Sequence, residues 1–481
     1  MAGAGWFEED GPITDIADLS LTALAGAIRT RQLSPVEVVG AALARVETRN
    51  PTLNAFITLT AEPALERARA AEAQLAAGAT PESPLFGLPY SVKDLTLTAG
   101  VRTTMGSPLF ADQVPKEDAV PVARLKRAGA ILIGKTTTPE FGHKALTDSP
   151  LFGRTLNPWD PQVTCGGSSG GAAVAAVTGM GAFALGTDGG GSVRIPSACC
   201  GVVGLKATLG AIPHLHVPDL FGANSYIGPM ARRVADVRLV WQAVAGASPR
   251  DPYGQAPLPP GRHLDGGLEG LRIGVMAKVG DHDVHPEVAA SFEAVTRRLA
   301  ALGATLDEVA FDFVALEESF LVILQSALAA RLAEAAAARP EAVGPSLAKT
   351  IELGQQWSAV DLQNAGAARS SAFRAVQTAF ETHDLLVSPT LTAPPLSADQ
   401  DPHAPVSIAS GPGRRIRAAW YPYTYPFNLT GHPALSLPCG TTEASLPLGF
   451  QIVGPWHGEE LMLDVAEVLE AEMPGIGRPP T

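Results

Sequence analysis

The chain has 481 residues, of which 46% are hydrophobic and 17% are charged, so it can bury a large core and general disorder is excluded. Its formal net charge of −13 disfavours direct binding to a nucleic-acid backbone. Four cysteines are too few for a disulfide framework, and no cysteine or histidine spacing is typical of zinc, so we expect no metal.

The first residues lack the basic and apolar regions of a signal peptide, so we expect a cytoplasmic protein. Ser34, Pro35 and Glu37 form a capping-box pattern at the start of an amphipathic helix. Further helices are predicted at residues 61–77, 120–128, 286–302 and 459–472. Strands are predicted at residues 87–94, 129–134, 271–276, 385–388, 434–438 and 450–453. The uncharged run at 172–187 is short for a membrane span, so we interpret it as a buried helix.

The alternation of strands and helices predicts an α/β fold with a largely parallel or mixed sheet. Length alone allows about three domains, but the chain has no internal repeat. We therefore predict one domain over residues 1–481. Within it we expect N-terminal helices at 20–80, a core with the chemical motifs at 85–210, a proline- and glycine-rich loop at 248–267, and a second half at 268–475 that completes sheet and pocket.

Two glycine- and serine-rich clusters stand out, at residues 166–171 and 186–196. The first matches G-x-S-x-G on Ser168 and again on Ser169, the pattern of a nucleophile elbow. That interpretation needs a preceding strand and a histidine base, whereas residues 157–165 are rich in turn formers and no motif supplies the histidine. A phosphate-binding loop would need a lysine after the glycines. For either cluster alone, a turn with a serine helix cap is the favoured interpretation.

Lys93 favours a catalytic interpretation of the two clusters over a structural one, because it lies within an apolar strand. Burial lowers the pKa of a lysine and leaves a neutral amine that can act as a base. A serine hydroxyl is a weak nucleophile until a neighbouring base removes its proton. One lysine and two serines can therefore form a relay for nucleophilic catalysis.

Longer motifs surround these residues. They read GGSSGG at 166–171, TDGGGSVRIPS at 187–197 and CGVVGLK at 200–206. Shorter motifs are VKD at 92–94, NPWD at 157–160, NLTGHPA at 428–434 and PLGFQ at 447–451. On these residues the chain resembles the amidase signature family of serine hydrolases, from about residue 20 to residue 470.

The resemblance implies a single large domain with a central twisted mixed β-sheet covered by helices on both faces. It also implies a catalytic triad. Ser192 matches the nucleophile, Ser168 matches a bridging serine that follows a cis peptide bond from Gly167, and Lys93 matches the general base. No metal ion or organic cofactor is implied.

Further site residues follow from the same resemblance. The expected oxyanion hole consists of the backbone amides of Gly189, Gly190, Gly191 and Ser192. Expected supporting residues are Ser169, Asp188 and Arg194. We expect Asp188 and Arg194 to pair and brace the loop without touching substrate.

Some residues depart from the family pattern. Gly189 stands where the family often has a branched residue, Cys165 stands where proline is common, and Ala207 replaces the usual proline after the lysine. None of these changes removes a catalytic group, so they bear on loop stiffness and pocket shape. Cys165 itself is interpreted as a small packing residue.

The resulting expectation is a serine hydrolase that cleaves amide C–N bonds through an acyl-enzyme on Ser192. Hydrophobic or aryl amides are the expected substrates, with carbamates and esters as further candidates. Partners are then a small-molecule amide or carbamate, with no nucleic acid and no membrane, and the protein is expected as a monomer or homodimer. Activity should fall on the acid side as Lys93 becomes protonated.

The substrate pocket is expected from the segments 214–226, 316–356 and 408–425. Their candidate lining residues are Leu220, Phe221, Tyr226, Phe320, Leu324, Trp357, Trp420, Tyr421, Tyr423 and Tyr425. The alternative function is the glutaminase component of a tRNA-dependent amidotransferase complex. Tyr421 stands where that component has an acidic residue, which ranks this alternative second.

Overall fold

The computed structural model describes residues 15–222, 224–254, 264, 267–473 and 475–480. Most of the predicted loop at 248–267 lies outside the described residues, namely at 255–263 and 265–266. The thirteen strands in the described residues are β1 (Phe56–Leu59), β2 (Pro89–Lys93), β3 (Ile131–Thr136), β4 (Asp148–Ser149), β5 (Gly153–Arg154), β6 (Phe183–Asp188), β7 (Val203–Lys206), β8 (Tyr226–Ala231), β9 (Arg272–Val275), β10 (Thr305–Glu308), β11 (Leu385–Pro389), β12 (Ala434–Thr441) and β13 (Pro447–Val453).

The α-helices in the described residues are α1 (Leu21–Arg29), α2 (Pro35–Leu53), α3 (Ala61–Ala76), α4 (Val120–Arg127), α5 (Gly170–Val177), α6 (Arg194–Cys200), α7 (Val234–Val244), α8 (Pro286–Ala301), α9 (Leu316–Ala338), α10 (Pro345–Gly354), α11 (Ala359–Ala379), α12 (Ile416–Trp420), α13 (Tyr425–Thr430) and α14 (Glu459–Glu472). The predicted capping box is present at α2, since Ser34 Oγ accepts from the Glu37 amide and Glu37 accepts from the Ser34 amide.

Eleven strands form one sheet in the order β1-β3-β2-β6-β8-β7-β12-β13-β11-β9-β10. The pairs β2–β3, β2–β6, β9–β10 and β9–β11 are parallel, and the remaining pairs in the sheet are antiparallel. Strands β4 and β5 form a separate two-stranded ribbon. The predicted α/β fold, a mixed sheet flanked by helices, is confirmed.

The interpretation of residues 172–187 as one buried helix is wrong. Helix α5 ends at Val177, and strand β6 begins at Phe183. The break lies at Gly179 and Gly181, whose φ angles of +74° and +117° end the helical path. The helix and the strand are both fully buried, so the run is apolar throughout. Its hydropathy therefore shows neither the helical nor the strand periodicity that would separate the two elements.

The sheet brings the ends of two parallel neighbours together. Strands β2 and β6 pair in parallel and end at Lys93 and Asp188, so both residues lie at one edge of the sheet. Carboxyl ends of parallel strands are the usual location of ligand sites in α/β folds. Helix α5 leads into β6, and its N-terminus follows Ser168 and Ser169 directly.

Helix α9 is long and apolar enough by composition to cross a bilayer. It packs against α10 and α11, and it carries the charged residues Glu317, Glu318, Arg331 and Glu334. We therefore interpret α9 as a helix of the folded domain.

Two helical glycines allow a test of the packing around α5. A Cβ added at Gly171 would lie 2.5 Å from the Thr137 backbone nitrogen and 2.6 Å from the Ala55 carbonyl oxygen, whereas one added at Gly40 in α2 would meet nothing within 4 Å. We expect Gly171→Ala to lower the free energy of unfolding by about 2 kcal/mol or more, because backbone atoms must move. Gly40→Ala should raise it by about 0.5–1 kcal/mol. Chemical denaturation of both variants measures the difference, and equal effects would contradict the described packing.

Candidate functional site

Lys93 lies at the end of β2, fully buried, among hydroxyl groups. Its Nζ is 2.6 Å from Ser168 Oγ, 2.9 Å from Ser169 Oγ and 2.9 Å from Thr187 Oγ1. The structure therefore brings together Lys93 and Ser168, as expected, and adds Thr187, which the sequence motifs did not single out. None of these partners is a carboxylate, so the described residues give the amine no direct counter-ion.

The hydrogen bonds around Ser169 fix the direction of one of these contacts. Ser169 Oγ donates to the Thr187 carbonyl at 3.0 Å and accepts from the Thr187 amide at 3.2 Å. Its single hydroxyl proton is thus already used, so the contact with Lys93 must be a donation from Nζ. A neutral amine that donates to Ser169 and to Thr187 Oγ1 has its lone pair left for the Ser168 hydroxyl proton.

Burial lowers the pKa of Lys93 well below its ordinary value, and the more distant charge of Asp188 opposes this shift only in part. Desolvation acts this way because the charged ammonium loses its hydration in the protein interior. The site therefore favours a neutral amine at the position where a general base is expected.

The serine loop before α5 is closely packed. The peptide bond between Gly167 and Ser168 is cis, as the resemblance implied. Gly166 has φ +74°, and a Cβ there would lie 2.9 Å from the Pro196 Cα, so only glycine fits. The Ser169 amide donates to the Ser192 carbonyl at 3.2 Å, which joins the serine loop to the segment that carries Ser192.

Asp188 and Arg194 form the expected ion pair, and both side chains are fully buried. Arg194 Nε lies 3.0 Å from Asp188 Oδ2. Asp188 also accepts from the amides of Gly191 at 2.6 Å and Val193 at 3.2 Å, so its carboxylate fixes the backbone on both sides of Ser192. Burial alone would raise the pKa of Asp188, but the charge and hydrogen bonds of Arg194 bring it below its ordinary value.

Two further buried residues complete this network. Arg194 donates to Gln451 Oε1 at 2.8 Å and to Asn428 Oδ1 at 2.7 Å, and Asn428 Nδ2 donates to the Asp188 carbonyl at 2.8 Å. Asn428 and Gln451 lie in the NLTGHPA and PLGFQ motifs, which by themselves assign no role to either residue. Each is a polar amide within an apolar segment, and a buried polar group must find a hydrogen-bond partner. That pattern was the signal in the sequence for a role in a buried network.

The expected oxyanion hole is corrected at one position. The Gly191 amide donates to Asp188 Oδ1, so it is not free to stabilise an oxyanion. The amides of Gly189, Gly190 and Ser192 remain candidates, and these three residues are partly exposed beside the buried serine loop. The hydrogen bond that holds Gly191 also positions the loop that presents the other amides.

Four of the ten predicted pocket residues are held in the core. Trp420 and three of the tyrosines are buried and donate to backbone carbonyls: Trp420 to Ala393 and Pro394, Tyr226 to Asn428, Tyr423 to Ala277, and Tyr425 to Phe313. Phe221 is exposed. Phe320 does reach the site, since a Cβ added at Gly190 would lie 2.6 Å from its ring.

Cys165 behaves as the predicted packing residue. It is buried, and burial raises the pKa of its thiol to about 12. A thiol held neutral in this way is a poor nucleophile. In the described residues, no group of three or more histidine, cysteine or acidic side chains could hold a metal ion.

Comparison with known proteins identifies the family. Residues 37–463 match the Amidase family model. An acylamidase of Rhodococcus erythropolis is 35% identical over 467 residues, covering 96% of this chain and 97% of that protein. The A component of the glutamyl-tRNA(Gln) amidotransferase of Roseiflexus sp. (strain RS-1) is 34% identical, covering 95% of this chain and 97% of that protein.

Comparison with solved structures indicates the same family. A solved bacterial aryl acylamidase of the amidase signature family superposes with a TM-score of 0.86 at 26% identity, covering 94% of this chain and 96% of that one. The chain belongs to the amidase signature family and is a hydrolase of amide C–N bonds.

Two glycines of the loop before Ser192 differ in the space available for a side chain. A Cβ at Gly191, where φ is +123°, would lie 2.4 Å from Thr424 Oγ1, whereas one at Gly189 would meet nothing within 4 Å. We expect Gly191→Ala to lower kcat by about 100-fold or more, because the clash displaces the loop that presents the amides of Gly189, Gly190 and Ser192, and misplacing one oxyanion donor has an effect of this size. Gly189→Ala should retain most activity. Steady-state kinetics on one amide, with circular dichroism to verify folding, tests this; similar losses in both variants would refute the geometry.

Proposed function

We propose that the protein cleaves amides through an acyl-enzyme on Ser192, with Ser168 and Lys93 as the proton relay. The observation that carries this proposal is the buried Lys93 amine within 2.6 Å of Ser168 Oγ, with no carboxylate among its close partners. A neutral amine in this position can accept a proton that a charged one would already hold.

In the acylation step, Ser192 Oγ forms a bond to the carbonyl carbon while its proton passes to Ser168, and the Ser168 proton passes to Lys93 Nζ. The carbonyl oxygen becomes an oxyanion against the amides of Gly189, Gly190 and Ser192. Return of the proton through Ser168 to the leaving nitrogen breaks the C–N bond and releases the amine. Water then hydrolyses the ester by the same relay, which restores Ser192.

For substrates, we propose hydrophobic or aryl amides, with carbamates and esters as further candidates. Two relatives support the amide class, since one is named an acylamidase and the other an aryl acylamidase. A carbamate presents the same carbonyl carbon to Ser192 and differs by one oxygen, so it requires no other catalytic group.

A second candidate is glutaminase activity in an amidotransferase complex, favoured by the 34% identity to the A component of such an enzyme. Tyr421, the position expected to be acidic in that component, is buried and packs its ring against Trp420. A neutral phenol offers no charge to the α-amino group of glutamine, so this candidate ranks second. Glutamine turnover, or co-purification with further components of such a complex, would reverse the order.

Removal of one hydroxyl tests the nucleophile. Ser192→Ala should abolish acyl-enzyme formation and turnover across a panel of anilides, aliphatic amides, carbamates, esters and glutamine. Ser197→Ala is the matched control, because Ser197 Oγ lies on α6, close in sequence, buried and without a hydrogen-bond partner in the described residues. Intact mass spectrometry after rapid quenching detects the acyl adduct. Full turnover by Ser192→Ala together with loss of turnover in Ser168→Ala would show that the nucleophile is wrongly assigned.

A further inference from the structure

A cavity of about 550 Å³ lies between α9, α10 and the segment that leads into α12. Its lining includes three positively charged side chains, Lys349, Arg415 and Arg417, and one negatively charged side chain, Asp361. This balance is opposite to that of the whole chain, which carries a net charge of −13. We name this space the α9–α10 cavity.

The phenyl ring of Phe320 lies between the α9–α10 cavity and the candidate oxyanion loop. The Arg417 guanidinium lies over the Phe320 ring, 5.8 Å from its centroid. The same ring packs against Gly190, where an added Cβ would lie 2.6 Å from it. Leu321, the next residue of α9, lines the cavity itself. Phe320 therefore contacts the candidate oxyanion loop on one side and a residue of the cavity lining on the other.

Arg417 has a buried donor that the described residues leave unsatisfied. Its Nε is buried and has no hydrogen-bond partner in the described ranges. The neighbouring acid is Glu317, which accepts from the Ala418 amide and lies beyond ion-pair distance of Arg417. By contrast, Lys349 pairs with Glu352 at 3.0 Å, and Asp361 is engaged by Ser358 in the capping box of α11.

The chemistry of a guanidinium selects what can satisfy it. A planar fork of N–H donors matches a carboxylate with two parallel hydrogen bonds. The cavity also offers an apolar wall in Leu321, Leu353 and Trp357, which suits an uncharged spacer. Trp357 Nε1 already donates to Gln325 Oε1 at 2.8 Å, so the indole is held in place as part of that wall.

We propose that the α9–α10 cavity binds a carboxylate at the distal end of an amide substrate, with Arg417 as the residue that pairs with it. The preferred substrates are then amphipathic amides, apolar next to the scissile bond and anionic at the far end. This inference rests on the proposed amide hydrolysis at Ser192 and specifies its substrate class.

Paired substrates test the proposal on the intact protein. One arm compares the mono-4-nitroanilide of adipic acid with hexanoyl-4-nitroanilide, which places the carboxylate on the acyl side. The other arm compares N-butyryl-4-aminobenzoate with N-butyrylaniline, which places it on the amine side. In at least one arm, wild type should favour the carboxylated substrate about tenfold in kcat/KM, and high salt should reduce the preference.

Arg417→Met should remove that preference through KM, with kcat little changed, because the carboxylate lies away from the reacting atoms. Turnover of the uncharged analogue reports any damage to Phe320. Arg417→Lys should retain part of the preference. Arg414→Met is the matched control, since Arg414 is three residues away, outside the cavity lining, and paired with Asp281 at 2.9 Å. Absence of a preference in both arms, or equal losses for charged and uncharged substrates, would overturn the proposal.

Binding separates this inference from the hydrolytic function. Calorimetry on Ser192→Ala measures affinity for the same four compounds without turnover. Tighter binding of a carboxylated compound that Arg417→Met abolishes would support the cavity even if wild type cleaved none of them. Turnover of the anilides with no Arg417-dependent difference in affinity would leave the hydrolase intact and refute the carboxylate site.

Discussion

The candidate site depends on the burial of one amine that has no direct counter-ion among the described residues. Lys93 lies at the end of a central strand, and its close partners are hydroxyls on Ser168, Ser169 and Thr187. Hydroxyls satisfy the hydrogen bonds of an amine but do not stabilise a positive charge as a carboxylate would. Burial thereby lowers the pKa of this nitrogen and favours its neutral form, and a neutral amine that donates to Ser169 and Thr187 retains its lone pair for the Ser168 hydroxyl.

A second buried group holds the loop that carries Ser192 in place. The Asp188–Arg194 pair engages the backbone on both sides of Ser192 and ties it to Asn428 and Gln451, which come from the far end of the chain. Both ions are desolvated, so each depends on the other and on its hydrogen bonds. One network thus couples the loop after β6 to elements of the second half.

The sequence predicted what short segments encode. The capping box at Ser34, the six strands found as β2, β3, β9, β11, β12 and β13, and the ion pair between Asp188 and Arg194 all follow from local pattern or motif. It could not predict that the Gly191 amide is taken by Asp188, because hydrogen-bond direction depends on the backbone path through the loop. The residues that line the pocket could not be predicted either, because aromatic residues pack in cores and line sites alike. The role proposed for Arg417 depends on its position over Phe320 in the folded protein, which no sequence pattern indicates.

The charge of Lys93 in the folded protein is the most direct test. Lysine labelled with ¹³C at Cε, with the Lys93 signal assigned by Lys93→Arg, reports protonation of each amine as pH is varied. We predict that Lys93 titrates with a pKa well below the ordinary lysine value of 10.5 and is neutral where the enzyme is active. Activity should then fall as pH decreases through that midpoint. A Lys93 signal that stays in its charged form up to the ordinary value would show that Lys93 does not act as a neutral base.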